Sequence, residues 1–289
     1  MNFLSNSFKY LVFWKALIFL GIFFTPITSQ AQNVTDSSKI YNVNRYWSAA
    51  LGGAGILISQ EMIRRMGGAE DIPKEEILAL DKYDVNSFDR IALEQDNIEY
   101  RHEAHRISDY VLIGSVLLPI TLFIDKKIRK HWLDVSLMYL ESQALTANLY
   151  VLAGPTLIER FRPVTYYNSE IDMNELIPGR NKHSWFSGQT ANTATGTFFW
   201  AKVLTDFHPE WKGKWKIWAA AAVPPAYVGY LRYRALKHFP TDIIMGFIVG
   251  GGSGILIPHL HKKKELKRFN MSLYYNDEDI GFTARWVLN

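Results

Sequence analysis

The sequence predicts an all-α protein, a bundle of five to six mostly membrane-embedded helices followed by a short C-terminal β-hairpin. Three observations carry this expectation. Apolar segments of helical length recur along the chain and are almost free of charge. Short basic clusters close several of them. The stretch from Phe269 to Leu288 then switches to two-residue alternation.

Residues 1–31 read as a secretory signal peptide. Lys9 and Lys15 precede an apolar stretch from Ala16 to Phe24, and Ser29-Gln30-Ala31 supplies small residues at the cleavage positions, which makes Gln32 the first mature residue. Residues 32–107 hold an N-terminal helix, Trp47 to Ile63, and a polar insert. From Glu70 to Glu99 this insert is acidic, with apolar residues at helical spacing, and it reads as short surface helices presenting a solvated face.

Residues 108–268 form the helical core. Its apolar segments run Tyr110–Ile124, Val135–Ile158, Ser184–Trp200, Ile217–Tyr230 and Ile243–Pro258. All but Val135–Ile158 fall short of the roughly twenty residues a crossing needs, and amphipathic flanks make up the length. Glu141 is the one charge in its segment and is expected to be a paired structural carboxylate; Pro224-Pro225 is expected to kink its helix. Asn148, Asn192 and Thr195 are expected to face the bundle. In the tail, residues 269–289, Met271, Leu273 and Tyr275 alternate before Asn276-Asp277-Glu278-Asp279, and Phe282, Ala284 and Trp286 after it. Such a hairpin is marginal alone and must dock or pair.

Composition narrows the chemistry. The absence of Cys excludes disulfides, thiol catalysis and Cys-ligated metals. The formal net charge of +4 is mild, and the basic residues sit between apolar segments, a membrane pattern rather than a nucleic-acid groove. His102 and His105 lack both the H-E-x-x-H order and a third ligand, so no metal site and no cofactor is expected. The clusters at 126–130 and 262–268, with Lys212, Lys214 and Lys216, point to the cytoplasm. The intervening loops then face the periplasm or exterior of a bacterial-type cell envelope. With a cleaved signal, this requires that the helix at 47–63 does not cross.

Those loops carry the chemistry. Arg232 is followed six residues later by His238, and Asp242 comes four residues after that. The guanidinium suits phosphoryl oxygens, the imidazole suits attack on phosphorus, and an Asp one helical turn on can hold the other ring nitrogen. Upstream, Arg160 and Arg162-Pro163 place two guanidiniums past the end of an apolar helix. Ser187-Gly188-Gln189 opens another helix, whose free N–H groups favour an anion.

In these residues the chain resembles the type 2 phosphatidic acid phosphatase and vanadium haloperoxidase superfamily, over roughly residues 108–262. The superfamily's motifs read K-x6-R-P, P-S-G-H and S-R-x5-H-x3-D. Here the third survives as Arg232, His238 and Asp242, with Leu231 for Ser; the second as Ser187-Gly188, with Phe186 for Pro and Gln189 for His; the first as Arg162-Pro163, with Pro155 for Lys. The resemblance implies a membrane enzyme that hydrolyses a phosphate or diphosphate on a lipid. In it, His238 forms a phosphohistidine, Asp242 orients it, and Arg162, Arg232, Ser187 and Gly188 hold phosphoryl oxygens without a metal. Gln189 occupies the position of the superfamily's general acid but cannot deliver a proton. Arg160 is a candidate to replace the missing Lys, and His183 to reach the leaving group. The alternative is a degenerate member that binds a phosphorylated lipid or serves as a membrane scaffold.

Overall fold

The computed structural model describes residues 39–263, 269–275 and 280–286. These form ten α-helices: α1 (Arg45–Gly67), α2 (Lys74–Leu78), α3 (Ser87–Arg90), α4 (Arg101–Leu117), α5 (Lys126–Arg129), α6 (Trp132–Ala153), α7 (Met173–Leu176), α8 (Gly188–Phe207), α9 (Trp215–Arg234) and α10 (Pro240–His261). Two antiparallel strands, β1 (Phe269–Tyr275) and β2 (Ile280–Trp286), pair in the register Phe269 with Trp286 through Tyr275 with Ile280. The expected signal peptide, the hairpin turn at 276–279 and positions 264–268 of the last basic cluster lie outside the described residues.

Six long helices build the frame. At one end, the base, Tyr41 bridges to Lys262, the Asn42 N–H donates to the His261 carbonyl at 2.8 Å, and His208 Nε2 lies 2.9 Å from Asp125 Oδ2. Helices α1, α6 and α9 leave the base; α4, α8 and α10 return to it. The other end gathers the segments 68–100, 154–187 and 235–239. Helix α4 continues to Ile124 as a 3₁₀ segment, because Pro119 has no N–H for the α ladder. Helix α9 runs unbroken through Pro224 and Pro225.

Small residues let the helices meet. A Cβ on Gly246, Gly250 or Gly254 would stand 2.4, 1.9 or 2.6 Å from the carbonyl oxygens of Ser187, Ala191 and Thr195. The i, i+4, i+8 stripe of α10 therefore lies directly on the backbone of α8. Polar groups pair between helices: Thr146 Oγ1 with Thr195 Oγ1 at 2.7 Å, Asn148 Nδ2 to the Gly55 carbonyl at 2.8 Å, and Glu141 Oε2 with His261 Nε2 at 2.9 Å. Glu141 is thus a paired carboxylate.

The outer face of α4 and its extension is apolar, with Tyr110, Ile113, Leu117, Ile120 and Ile124 exposed. Two segments, Arg101–Ile124 and Pro240–His261, are long and apolar enough to cross a membrane.

The acidic insert presents the expected solvated face, with Asp71, Glu75, Asp81, Asp84, Glu94 and Asp96 exposed, but its apolar side is buried. Its Ile72 and Ile77 pack with Val164, Tyr167, Leu176 and Leu236, and its Val85 and Ala92 with Phe239. Asp89 is fully buried. The insert thereby caps the far end of the bundle together with the apolar residues of the loops there.

Candidate active site

Backbone hydrogen bonds draw the three motif segments together. The Arg160 and Arg162 amides donate to the carbonyls of Lys182 and Asn181 at 2.9 and 2.8 Å. The Val164 amide donates to the Leu236 carbonyl at 3.0 Å, and the Ser187 amide to the Asp242 carbonyl at 3.0 Å.

The link between Arg232 and His238 is a helix C-cap. The Leu236 amide donates to the Tyr233 carbonyl and the Lys237 amide to the Arg232 carbonyl, both at 3.1 Å, with Leu236 in the left-handed region at φ 55°. This is a Schellman turn with Leu where Gly is usual. The conformation costs about 1–2 kcal/mol for a residue bearing a Cβ, offset by complete burial of the Leu236 side chain. The turn reverses the chain sharply enough to bring His238 back beside Arg232.

His238 is buried, and its Nδ1 lies 2.7 Å from the Ser184 carbonyl oxygen. A carbonyl only accepts, so Nδ1 carries the proton and Nε2 presents its lone pair. Burial, and the charges of Arg232 and Arg162, push the imidazole well below its ordinary value. It is therefore neutral at pH 7, the form a nucleophile needs.

Here the expectation for Asp242 is corrected. Its Oδ2 stands 4.0 Å from His238 Nδ1, beyond hydrogen-bond reach. Instead it accepts from Ser184 Oγ at 2.6 Å and from the Phe239 amide at 2.8 Å. Asp242 positions Ser184, and the Ser184 carbonyl positions His238. Geometry at the start of α10 explains this: Pro240 holds the first turn, and the side chain at the third helical position folds back onto the cap amide.

Arg160 is likewise corrected. Its Nη1 donates to Asp242 Oδ1 at 2.6 Å and its Nη2 to Asp89 Oδ2 at 2.7 Å, while the guanidinium lies 4.2 Å over the Phe239 ring. Its charge is spent on two buried carboxylates. Burial alone would raise Asp89, but hydrogen bonds from Thr241, Arg160 and Asn86 hold it below its ordinary value.

Arg162 and Arg232 differ from Arg160. Neither forms an ion pair among the described residues, and each has a buried Nε without a partner. Burial lowers the Arg162 guanidinium, and the neighbouring Arg180 lowers it further. Lys237, pushed down to about 7 by burial and by Arg162, Arg232 and Arg180, belongs to the same cluster. An uncompensated group of cations around a neutral imidazole is an anion site. Burial and Arg162 also push His183 down. The hydrogen bond His183 makes to Arg162 Nη2 is through its carbonyl, at 3.4 Å.

At the head of α8, Ser187 is fully buried. Its Oγ caps the helix, lying 3.4 Å from the Thr190 amide and 2.8 Å from Thr190 Oγ1. The Gly188 amide stays unengaged among the described residues, and a Cβ there would press on the Tyr150 ring at 3.1 Å. Gln189 Nε2 donates to Asp109 Oδ1 at 2.6 Å, and its Oε1 lies 3.1 Å from Ser108 Oγ. Arg232 Nη1 donates to His105 Nδ1 at 2.7 Å.

Sequence reasoning missed Asp89, Ser108, Asp109, Ser184 and Lys237, and weighed His105 only as a metal ligand. Adjacency to His238 could have flagged Lys237. No local signal marks the others, because each reaches the site across the bundle.

Residues 135–266 match the family model described as PAP2 superfamily. No curated protein and no solved structure matches the chain. The match supports a phosphatase-type function in general.

Proposed function

We propose that the protein hydrolyses a phosphate or diphosphate carried by a lipid, through a phosphohistidine on His238. The observation that carries this reading is the neutral imidazole with Nδ1 tied to the Ser184 carbonyl, set among Arg162, Arg232 and Lys237. Nε2 attacks phosphorus as the bond to the leaving oxygen breaks. Arg162, Arg232 and the Gly188 amide stabilise the equatorial oxygens. Water then attacks the phosphohistidine, releasing phosphate and regenerating His238. Asp242, Ser184 and Arg160 are positioning residues.

The lipid part of the proposal is supported by the exposed apolar face of α4 and by Trp47, Trp132 and Trp215, all exposed at the base, where an aromatic belt would lie. With the basic base in the cytoplasm, the site faces the periplasm or exterior; because α1 starts at that base and runs to the site end, this orientation requires Arg45 on the cytoplasmic side and is incompatible with a cleaved, translocated signal peptide. A reporter at Lys263 is expected to read cytoplasmic and one within residues 164–182 external; the reverse pattern overturns this orientation.

His238→Ala is expected to remove at least about 10³-fold of the activity, the scale of losing a nucleophile, while vanadate still binds. Activity above a few per cent of wild type overturns the phosphohistidine. Wild-type protein that binds vanadate but turns over no lipid phosphate, diphosphate or aryl phosphate establishes the degenerate binder instead.

A further inference from the structure

The position of the superfamily's general acid is held here by Gln189, which has no proton to give. A closed ring surrounds it. Gln189 Nε2 reaches Asp109 Oδ1 at 2.6 Å and Gln189 Oε1 lies 3.1 Å from Ser108 Oγ, which is 3.5 Å from Arg232 Nη1. Arg232 Nη1 donates to His105 Nδ1 at 2.7 Å, and His105 Nδ1 lies 3.9 Å from Asp109 Oδ2. His105 and Asp109 are one turn apart on α4 and both side chains are 45% exposed, so the pair fronts the mouth of the site rather than its floor. Arg232, whose Nη1 reaches His105, is also one of the cations beside His238, so the two imidazoles adjoin one group of cations.

We propose that His105, supported by Asp109, is the proton donor to the leaving oxygen, the role that Gln189 leaves unfilled. The inference rests on the phosphatase reading above. An arginine N–H can only donate, so in the free protein His105 Nδ1 is unprotonated and the ring is neutral. A bound phosphoryl group draws Arg232 Nη1 onto its oxygens and releases Nδ1. Nδ1 then takes a proton from solvent and faces Asp109, while Nε2–H turns to the leaving oxygen. As the His238 Nε2–P bond forms and the P–O bond breaks, the Nε2 proton passes to the departing alkoxide, which leaves as an alcohol. The neutral His105 then accepts a proton from the water that cleaves the phosphohistidine, and the imidazolium is restored. The charged and titratable groups facing His105 are Asp109 from its own helix, Arg232 from α9, Lys237 from the turn after it and Arg162 from the loop.

The test compares leaving groups in the full-length protein. With an alkyl monoester, His105→Gln is expected to lose about 10²-fold or more in kcat, within the range of general acid catalysis. With an aryl phosphate, whose phenolate leaves unaided, the loss is expected to be under about tenfold, with vanadate affinity held within about threefold. Adding Gln189→His to that variant is expected to recover about tenfold or more of the alkyl rate. Asp109→Asn, which keeps the bond to Gln189, is expected to move the alkaline limb of the alkyl pH profile to lower pH, because the imidazolium loses its counter-charge. Equal loss on both esters with weakened vanadate binding makes His105 a mere buttress of Arg232 and overturns the proposal. So does no loss, or an unmoved limb in Asp109→Asn. Wild-type protein that hydrolyses neither ester overturns the phosphatase reading itself, and this inference with it.

Discussion

At the base of the bundle Arg45 meets Asp134 at 2.6 Å, Lys262 meets Asp206 at 2.8 Å and His208 meets Asp125 at 2.9 Å. At the site end Arg162, Arg232 and Lys237 crowd together, and none forms an ion pair among the described residues. The same contrast recurs between two residues of one strand of loop: Arg160 bonds Asp89 and Asp242, whereas Arg162 bonds only a carbonyl. A paired cation belongs to the fold. A buried cation left unpaired costs stability and repays it only when an anion arrives.

Three arginines and a lysine break or sharpen that comparison. Arg162→Ala is expected to have the largest effect, lowering vanadate affinity and kcat/KM by about 10²-fold or more, as for loss of a transition-state donor, with a melting temperature unchanged or higher. Arg160→Ala is expected to act on folding, destabilising by about 3–5 kcal/mol because two buried carboxylates lose their counter-charge. Thermal melts of both variants decide it; if Arg162→Ala unfolds the protein and Arg160→Ala does not, the assignment is reversed.

Lys237 gives an intermediate effect. With its ammonium pushed down to about 7, it loses its charge as pH rises through that value, and vanadate affinity is expected to fall by about tenfold, the worth of one pK unit of interaction. Lys237→Met is expected to flatten this drop, leaving only the ligand's own ionisation. The sign for stability is opposite. From about 7 up to the ordinary lysine range the unfolded chain binds more protons than the folded protein, so stability rises with pH there. Calorimetric titrations of both forms across pH check the first, and melts across the same range the second. Arg45→Ala, at a pair whose arginine is half exposed, is expected to change stability by no more than about 1 kcal/mol.

Sequence periodicity was enough to place the long helices, because an apolar stripe and its flanking charges are local. The match of Arg232, His238 and Asp242 to a motif was legible for the same reason: spacing along one chain is all it requires. Boundaries followed local chemistry too, with Ser187 and Pro240 starting α8 and α10. What each polar residue touches was decided only in three dimensions. Asp242 reads as the partner of His238 one helical turn away, yet the fold turns its oxygens to Ser184, Phe239 and Arg160 and gives His238 a backbone carbonyl. Asp89 reads as one more charge on a solvated insert, and His105 as half of a poor metal site. Both reach the site because non-adjacent segments pack there. The apolar pattern specifies which surfaces are buried; the hydrogen-bond partners of a buried charge depend on distances between segments that no local spacing encodes.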